Sequence, residues 1–264
     1  MAATLGIDSG RIRFHPGPPG AELIGSGTGG SRGALGTGSA FRVLGEKLIE
    51  LARPYAAAKL KAKAGELRYS EGAFHAGDRA IGFSELACAL AGATPHPLDM
   101  VAEGTFGATY PNGCHIAEVE IDPETGAAAI ARYTAVDDLG NVINPVLVEG
   151  QVHGGVLQGA GQVFGEHAVY DAATAQLLTG SFLDYVMPRA GWLKDIAVHD
   201  HPVPTPTNAL GAKGVGESGC SGSLPALVNA TIDALRPLGI AHLDMPFTPC
   251  KLWDAIRRAR PAVT

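Results

Sequence analysis

Asn208-Ala209-Leu210-Gly211-Ala212-Lys213-Gly214-Val215-Gly216-Glu217-Ser218-Gly219-Cys220-Ser221-Gly222-Ser223 sets one carboxylate, Glu217, among five glycines. A proline-rich approach (Pro202, Pro204, Pro206) precedes this stretch and an apolar segment, residues 224–235, follows it. Glycine has no side chain to hold a ligand away, so backbone of this kind can come close to one. The segment after it places Leu224, Leu227, Val228, Ile232 and Leu235 at the spacing of one helical face. Ser221 or Ser223 is a candidate cap and Pro225 is tolerated in a first turn, so Glu217 is expected just before a helix N-terminus. That end carries partial positive charge and free N–H groups. A glutamate there can act as a general base on a fixed backbone. On composition alone the plainer reading, a solvated loop acid beside a tight turn, is preferred.

Two other glycine clusters precede this one in sequence. In residues 144–161, Gly150, Gly154, Gly155, Gly159 and Gly161 interrupt a helical periodicity. Each costs about 1 kcal/mol against alanine in a helix interior, so their presence predicts that something packs closely there. Gln151 and Gln158 read as ordinary polar helix residues. The first cluster, Gly25-Ser26-Gly27-Thr28-Gly29-Gly30-Ser31-Arg32-Gly33, runs toward a helical pattern with Phe41, Leu44, Leu48, Leu51 and Tyr55 on one face. Such a loop presents N–H groups to a phosphate, with Arg32 supplying charge. Gly25 to Gly30 fits G-x-G-x-x-G, but too little precedes it for a buried first strand and Glu50 falls inside the helix, so a dinucleotide-binding fold is rejected. Pro54 is expected to kink or end that helix.

The best strand signal is His115-Ile116-Ala117-Glu118-Val119-Glu120-Ile121-Asp122, which alternates, turns at Pro123-Glu124-Thr125-Gly126 and returns over residues 127–136 as a hairpin. His115 has no second ligand at metal spacing and reads as a structural hydrogen-bonding histidine. His199 and His201 would share one face of a strand without a third ligand. Between residues 65 and 91, short segments alternate with Glu71-Gly72 and Gly77-Asp78 turns as small hairpins, closed by a helix near residues 84–90 with Ser84 as cap. Residues 93–97 read as a linker. The tail, residues 253–260, is a short basic-ended helix with one packed face.

With 264 residues, 46% hydrophobic and 17% charged, the composition is that of a globular chain able to bury a large core. A net charge of −6 gives no sign of a nucleic-acid surface. No apolar run approaches the ~20 residues of a membrane span, and residues 1–6 lack the pattern of a signal peptide, so the expected compartment is the cytoplasm. Cys88, Cys114, Cys220 and Cys250 stand singly, as reduced thiols, with Cys220 a small-residue filler after Glu217.

The order Gly-x-Lys-Gly-x-Gly-Glu over Gly211 to Glu217, followed by small residues, a proline and an Ala/Val/Asn-rich helix, resembles the C-terminal signature of the molybdenum hydroxylases. That family includes xanthine dehydrogenases, aldehyde oxidoreductases and the large subunit of aerobic carbon monoxide dehydrogenase. The resemblance implies that Glu217 is the active-site base, with Lys213, Gly214, Val215 and Gly216 in the cofactor-binding surface around it. It also implies that Gly27, Thr28, Gly29, Gly30, Ser31 and Arg32 contact the pyranopterin. The family often has serine next, where Gly33 stands here. Gln151, in Glu-Gly-Gln-x-x-Gly-Gly, matches a cofactor-bonding glutamine, and Gln158 is a second candidate. Tyr110 to His115, Leu177 to Tyr185 and Met187-Pro188-Arg189 follow in the family's order.

The resemblance implies an α+β fold of mixed sheets with packed helices, the C-terminal molybdopterin-binding domain of the xanthine oxidase type. A glycine-loop and hairpin unit would span residues 1–92, and the Glu217 domain residues 93–264. It implies molybdenum–molybdopterin as cofactor, with the cytosine dinucleotide form left open, and hydroxylation of an aldehyde, N-heterocycle or similar small molecule by water-derived oxygen. Glu217 would take a proton, a task suited to a carboxylate shielded from water. Because the family's N-terminal half is not matched, the chain is expected to be the C-terminal fragment of a split subunit. Its expected partners are a chain carrying that half, a 2Fe-2S subunit and an FAD subunit. The alternative is a non-catalytic assembly or structural partner that keeps the fold without bound molybdenum.

Overall fold

The computed structural model describes residues 1–17, 20, 27–103 and 106–259. Gly25, Ser26 and residues 22–24, which enter the rejected dinucleotide motif, lie outside the described residues, as does Arg260. The chain forms two compact units, Met1–Ala108 with Pro206–Leu210, and Thr109–Thr205 with Gly211–Thr264. The change of unit thus falls at Ala108/Thr109, beyond the linker expected at residues 93–97.

In the first unit, helices α1 (Ala2–Leu5) and α2 (Gly33–Leu60) precede strands β1 (Arg68–Ser70), β2 (Ala73–Ala76) and β3 (Arg79–Gly82) and helix α3 (Phe83–Ala89). The strands form an antiparallel sheet in that order, joined by the two-residue turns Glu71-Gly72 and Gly77-Asp78 that the sequence marks. Phe74 and Leu86 are fully buried against Ala52 and Ala56 of α2. The buried stripe of α2 only partly matches the expected one: Leu48 and Leu51 pack half-buried against the core, but Gly45, Ala52, Ala56 and Leu60 are the buried members and Tyr55 stays exposed. Small residues win that face because they let neighbours approach; a Cβ on Gly45 would stand 2.9 Å from Thr4. Pro54 neither ends nor begins a helix, since α2 runs through it. It lies on the exposed side, where water can take the carbonyl its missing N–H leaves unpaired. Gly82, not Ser84, is the N-cap of α3.

The second unit contains strands β4 (Asn112–Ile121) and β5 (Ala128–Asp138), helix α4 (Pro145–Phe164), strand β6 (Ile196–Asp200) and helices α5 (Ser218–Leu235) and α6 (Pro249–Ala259). The β4–β5 pair is the expected hairpin, with a register shift between Glu118 and Val119, and β6 adds to β5 in parallel. Alternation along β4 turns Ala117, Val119 and Ile121 toward the core and Glu118 and Glu120 to water. Tyr133, Val152, Val156, Val163, Leu227 and Leu252 are fully buried. Complete burial of each aliphatic member contributes about 1.5–3 kcal/mol.

Helix α4 starts where its sequence dictates: Asn144 caps it, its Oδ1 accepting from Leu147 N at 3.2 Å, and Pro145 takes the first position. Helices α4 and α5 run side by side in the same direction. A Cβ on Gly155 would meet Cys220 N at 2.8 Å and Gly219 Cα at 2.9 Å, and one turn further Gly159 faces Ser223. This contact accounts for Gly155 and Gly159; Gly161 packs instead on Glu166 and Pro188, and Gly150 and Gly154 face open space. The α4–α5 contact also explains a difference in α5, which begins at Ser218 rather than after Ser221 or Ser223 and holds Pro225 in its interior. Ser218-Gly219-Cys220-Ser221-Gly222 has weak helix propensity, but close packing on α4 overrides it.

Candidate functional site

The loop that carries Glu217 is built against the end of β5. Gly140 and Ala212 form an antiparallel bridge. Lys213 N donates to Leu139 O at 2.8 Å, and Asn141 N to Gly211 O at 2.9 Å. Gly140 has φ +62°, and a side chain there would strike the Gly211 carbonyl, so both conformation and space require glycine. Lys213 Nζ donates to Asp138 Oδ2 at 2.5 Å, with both side chains about nine-tenths buried. Asp138 Oδ1 accepts from Gly140 N at 3.0 Å and Val203 N at 2.9 Å. Burial opposes ionisation of Asp138, yet the Lys213 hydrogen bond, the Val203 and Gly140 amides and the ammonium charge outweigh it and hold the carboxyl at about 2.

Beyond this brace the chain passes through Gly214, whose N–H donates to Thr109 Oγ1 at 3.4 Å, then Val215 and exposed Gly216. Glu217 stands at the N-terminus of α5 as expected, but it is itself the N-cap position, which the sequence had assigned to Ser221 or Ser223. Its carbonyl accepts from Ser221 N at 3.0 Å, and Ser218 Oγ donates to Val215 O at 3.0 Å. The carboxylate is exposed, so the shielding expected of a catalytic base is not formed by the described residues. The Gly155–Gly219 and Gly159–Ser223 contacts fix the register of the helix pair, and Glu217 comes level with the turn of α4 that carries Gln151, also exposed. Gln158 lies two turns further along. Lys213 differs from its neighbours, since its ammonium is turned inward to Asp138.

In the other unit, Gly27, Thr28, Gly29 and Gly30 are exposed and lead through Ser31 and Arg32 into the N-terminus of the 28-residue α2. Ideal Cβ positions on Gly27 and Gly29 meet nothing within 4 Å, so the backbone is open to an approaching group. Arg32 Nε donates to Gly29 O at 2.9 Å and closes the loop. No acid occupies the first turn of α2. Backbone amides, a guanidinium and a helix N-terminus fit a phosphate-bearing cofactor. In the second unit the Glu217 carboxylate on α5 and the Gln151 amide on α4 are exposed polar groups.

His115 is held as a structural histidine should be. Its Nδ1 lies 2.7 Å from the Tyr133 hydroxyl and its Nε2 3.2 Å from Asp137 Oδ1. The tautomer protonated on Nε2 satisfies both contacts. Burial first, and then the charge of Asp137, push the Tyr133 phenol far up. Asp137 Oδ2 is buried without a hydrogen-bond partner among the described residues. It borders a cavity of about 540 Å³ shared with His115, Ser218, Ser221 and Asn229. A second cavity of about 540 Å³, lined by Ile130, Phe164, Trp192 and Phe247, includes none of Glu217, Gln151 or Lys213. No group of three His, Cys, Asp or Glu among the described residues is placed to hold a metal ion, and no helix among them is long and apolar enough to cross a membrane. Asp137 and Asp138 escaped the sequence reading; an acid pair ahead of Leu-Gly at a strand end was the available signal.

Residues 1–193 match the model of the molybdopterin cofactor-binding domain. The chain belongs to the molybdopterin cofactor-binding family. Its relatives among the molybdenum hydroxylases include the carbon monoxide dehydrogenase large chain of Hydrogenophaga pseudoflava, 32% identical over 97% of this chain and 33% of the relative. The nicotine 6-hydroxylase large subunit of Paenarthrobacter nicotinovorans is 33% identical over 97% of this chain and 33% of its own length. Among solved structures, Cu,Mo-CO dehydrogenase in its carbon monoxide reduced state superposes with a TM-score of 0.85 at 32% identity, covering 98% of this chain and 33% of that one. Quinoline 2-oxidoreductase from Pseudomonas putida 86 gives 0.76 at 29% identity, over 89% and 31%. The chain thus has the α+β molybdopterin-binding fold and spans about a third of the length of these relatives. The domain match ends before Glu217, whereas both relatives and both superpositions extend over most of the chain.

Proposed function

We propose that this chain supplies the catalytic base and part of the cofactor surface of a cytoplasmic molybdenum hydroxylase. It would act with a polypeptide carrying the rest of the molybdenum subunit and with 2Fe-2S and FAD subunits. The observation that carries this reading is Glu217 at the N-terminus of α5, level with Gln151 on α4 and anchored through the Lys213 brace. Gly27, Thr28, Gly29, Gly30, Ser31 and Arg32 would hold an anionic part of the cofactor, including any cytosine dinucleotide extension. Gln151 and the backbone of Gly214, Val215 and Gly216 would hold its polar core. When bound, molybdenum–molybdopterin would supply the two-electron chemistry that oxidises an aldehyde, an N-heterocycle or a similar small substrate with oxygen from water. The Glu217 carboxylate, carried on the N-cap position of α5, would accept a proton from the water that supplies that oxygen.

A partner chain accords with two exposures. Glu217 is open in this chain, and a base gains strength where water is excluded. Phe182 and Leu183 are 84% and 91% exposed, as at an interface. The same openness favours the second reading, an assembly or structural partner without bound molybdenum. Elemental analysis of the natively purified complex, beside a Glu217→Gln variant, separates the two. Molybdenum near one per complex, with turnover lost and metal kept in the variant, is the expected result. No molybdenum even with the rest of the subunit co-expressed would overturn it.

A further inference from the structure

We propose that Asp138 is a positioning residue for Glu217, fixing the backbone path through which that carboxylate reaches the open end of α5. The inference rests on the reading of Glu217 as base and adds a residue that no motif singles out. Successive residues of a strand point to opposite faces, so at the end of β5 Asp137 turns to His115 while Asp138 turns to the Glu217 loop. There Asp138 joins three segments, accepting from Gly140 N, Val203 N and Lys213 Nζ.

The four residues from Lys213 to Gly216 include two glycines, and Val215 is the only side chain of size between the brace and Glu217. A loop of that composition has little internal means of holding one shape. Ser218 closes the turn onto Val215 O and Gly214 N reaches Thr109 Oγ1, but the ties that land together on the β5 end are Lys213 N on Leu139 O and Lys213 Nζ on Asp138. A buried ion pair contributes little net stability compared with apolar residues of the same volume. What it does supply is geometry. A carboxylate that accepts hydrogen bonds from three directions leaves the ammonium one place to sit, and with it the chain four residues before Glu217.

The test uses Asp138→Asn, the double variant Asp138→Asn with Lys213→Met, and Asp138→Glu. In the full chain, hydrogen exchange at residues 211–217 reads the loop without reference to bound cofactor. In the complete complex, kcat, KM and molybdenum content are measured. Asp138→Asn should speed exchange at Lys213 and Gly214 by tenfold or more while β4 and β5 stay protected. It should lower kcat by about 10²-fold, with KM and molybdenum retained. The double variant, freed of the unpaired ammonium, should recover thermal stability but not kcat, and Asp138→Glu should recover part of both. Unchanged exchange over 211–217, uniformly faster exchange across the unit, or recovery of kcat in the double variant would each overturn the proposal. Turnover that survives Glu217→Gln overturns the base reading instead, whatever the exchange shows.

Discussion

Lys213 and Asp138, 75 residues apart in sequence, meet at 2.5 Å with both side chains nearly excluded from water. The contact ties the loop of the candidate base to the end of a core strand, and its two halves are not equivalent.

Asp138→Ala leaves an ammonium buried without its counter-charge, a loss of about 3–5 kcal/mol. Lys213→Met leaves a carboxylate that still accepts from Gly140 N and Val203 N, and should cost less. Urea unfolding of the two variants checks the order; equal losses would show that the amides do not sustain the carboxylate.

Acid should release this brace. Asp138 ionises at about 2 in the folded chain, below the ~3.9 of an unfolded aspartate. Its ionised form therefore contributes stability that is fully present above about pH 4 and is lost as pH falls toward 2. Unfolding free energies of the parent and Lys213→Met chains should converge over that window.

His115 satisfies two buried groups at once. His115→Leu should destabilise the chain by about 2–4 kcal/mol, since it strands both the Tyr133 hydroxyl and Asp137. Tyr133→Phe should cost less, and the double variant should lose less than the sum of the singles. Strict additivity in chemical denaturation would show that His115 and Tyr133 are not coupled.

The helix pair leaves no room for a side chain at its contact. A Cβ on Gly219 would stand 2.6 Å from Val152 O and 3.0 Å from Gly155 Cα. Gly219→Val should therefore cost about 2–3 kcal/mol. Gly154, with nothing within 4 Å of its ideal Cβ, should accept alanine without loss, and thermal melts of both variants test the contrast.

Local signals carried much of this fold. The β4–β5 hairpin, the two short turns of the first sheet and the helix after Glu217 follow from alternation, turn chemistry and helical periodicity within a few residues. Other features depend on distant partners. The start of α5 at Ser218 is set by α4, the inward face of α2 by the elements packed on Gly45, Ala52 and Ala56, and the passage of α2 through Pro54 by its exposure. At the site, Glu217 and its place before a helix were legible. The inward turn of Lys213 was not, because its partner lies on another strand. Nor was the exposure of Glu217, because burial belongs to whatever covers a residue rather than to its own stretch of chain.

The α4–α5 contact also changes what the glycine-rich motifs can report. Gly155, Gly159 and Gly219 are demanded by the distance between two helices, with or without a bound cofactor. A descendant stripped of its chemistry would still have to retain them. Glu217 and Gln151 stand in the open, where packing imposes no identity, and their replacement would be the first mark left by the loss of catalysis.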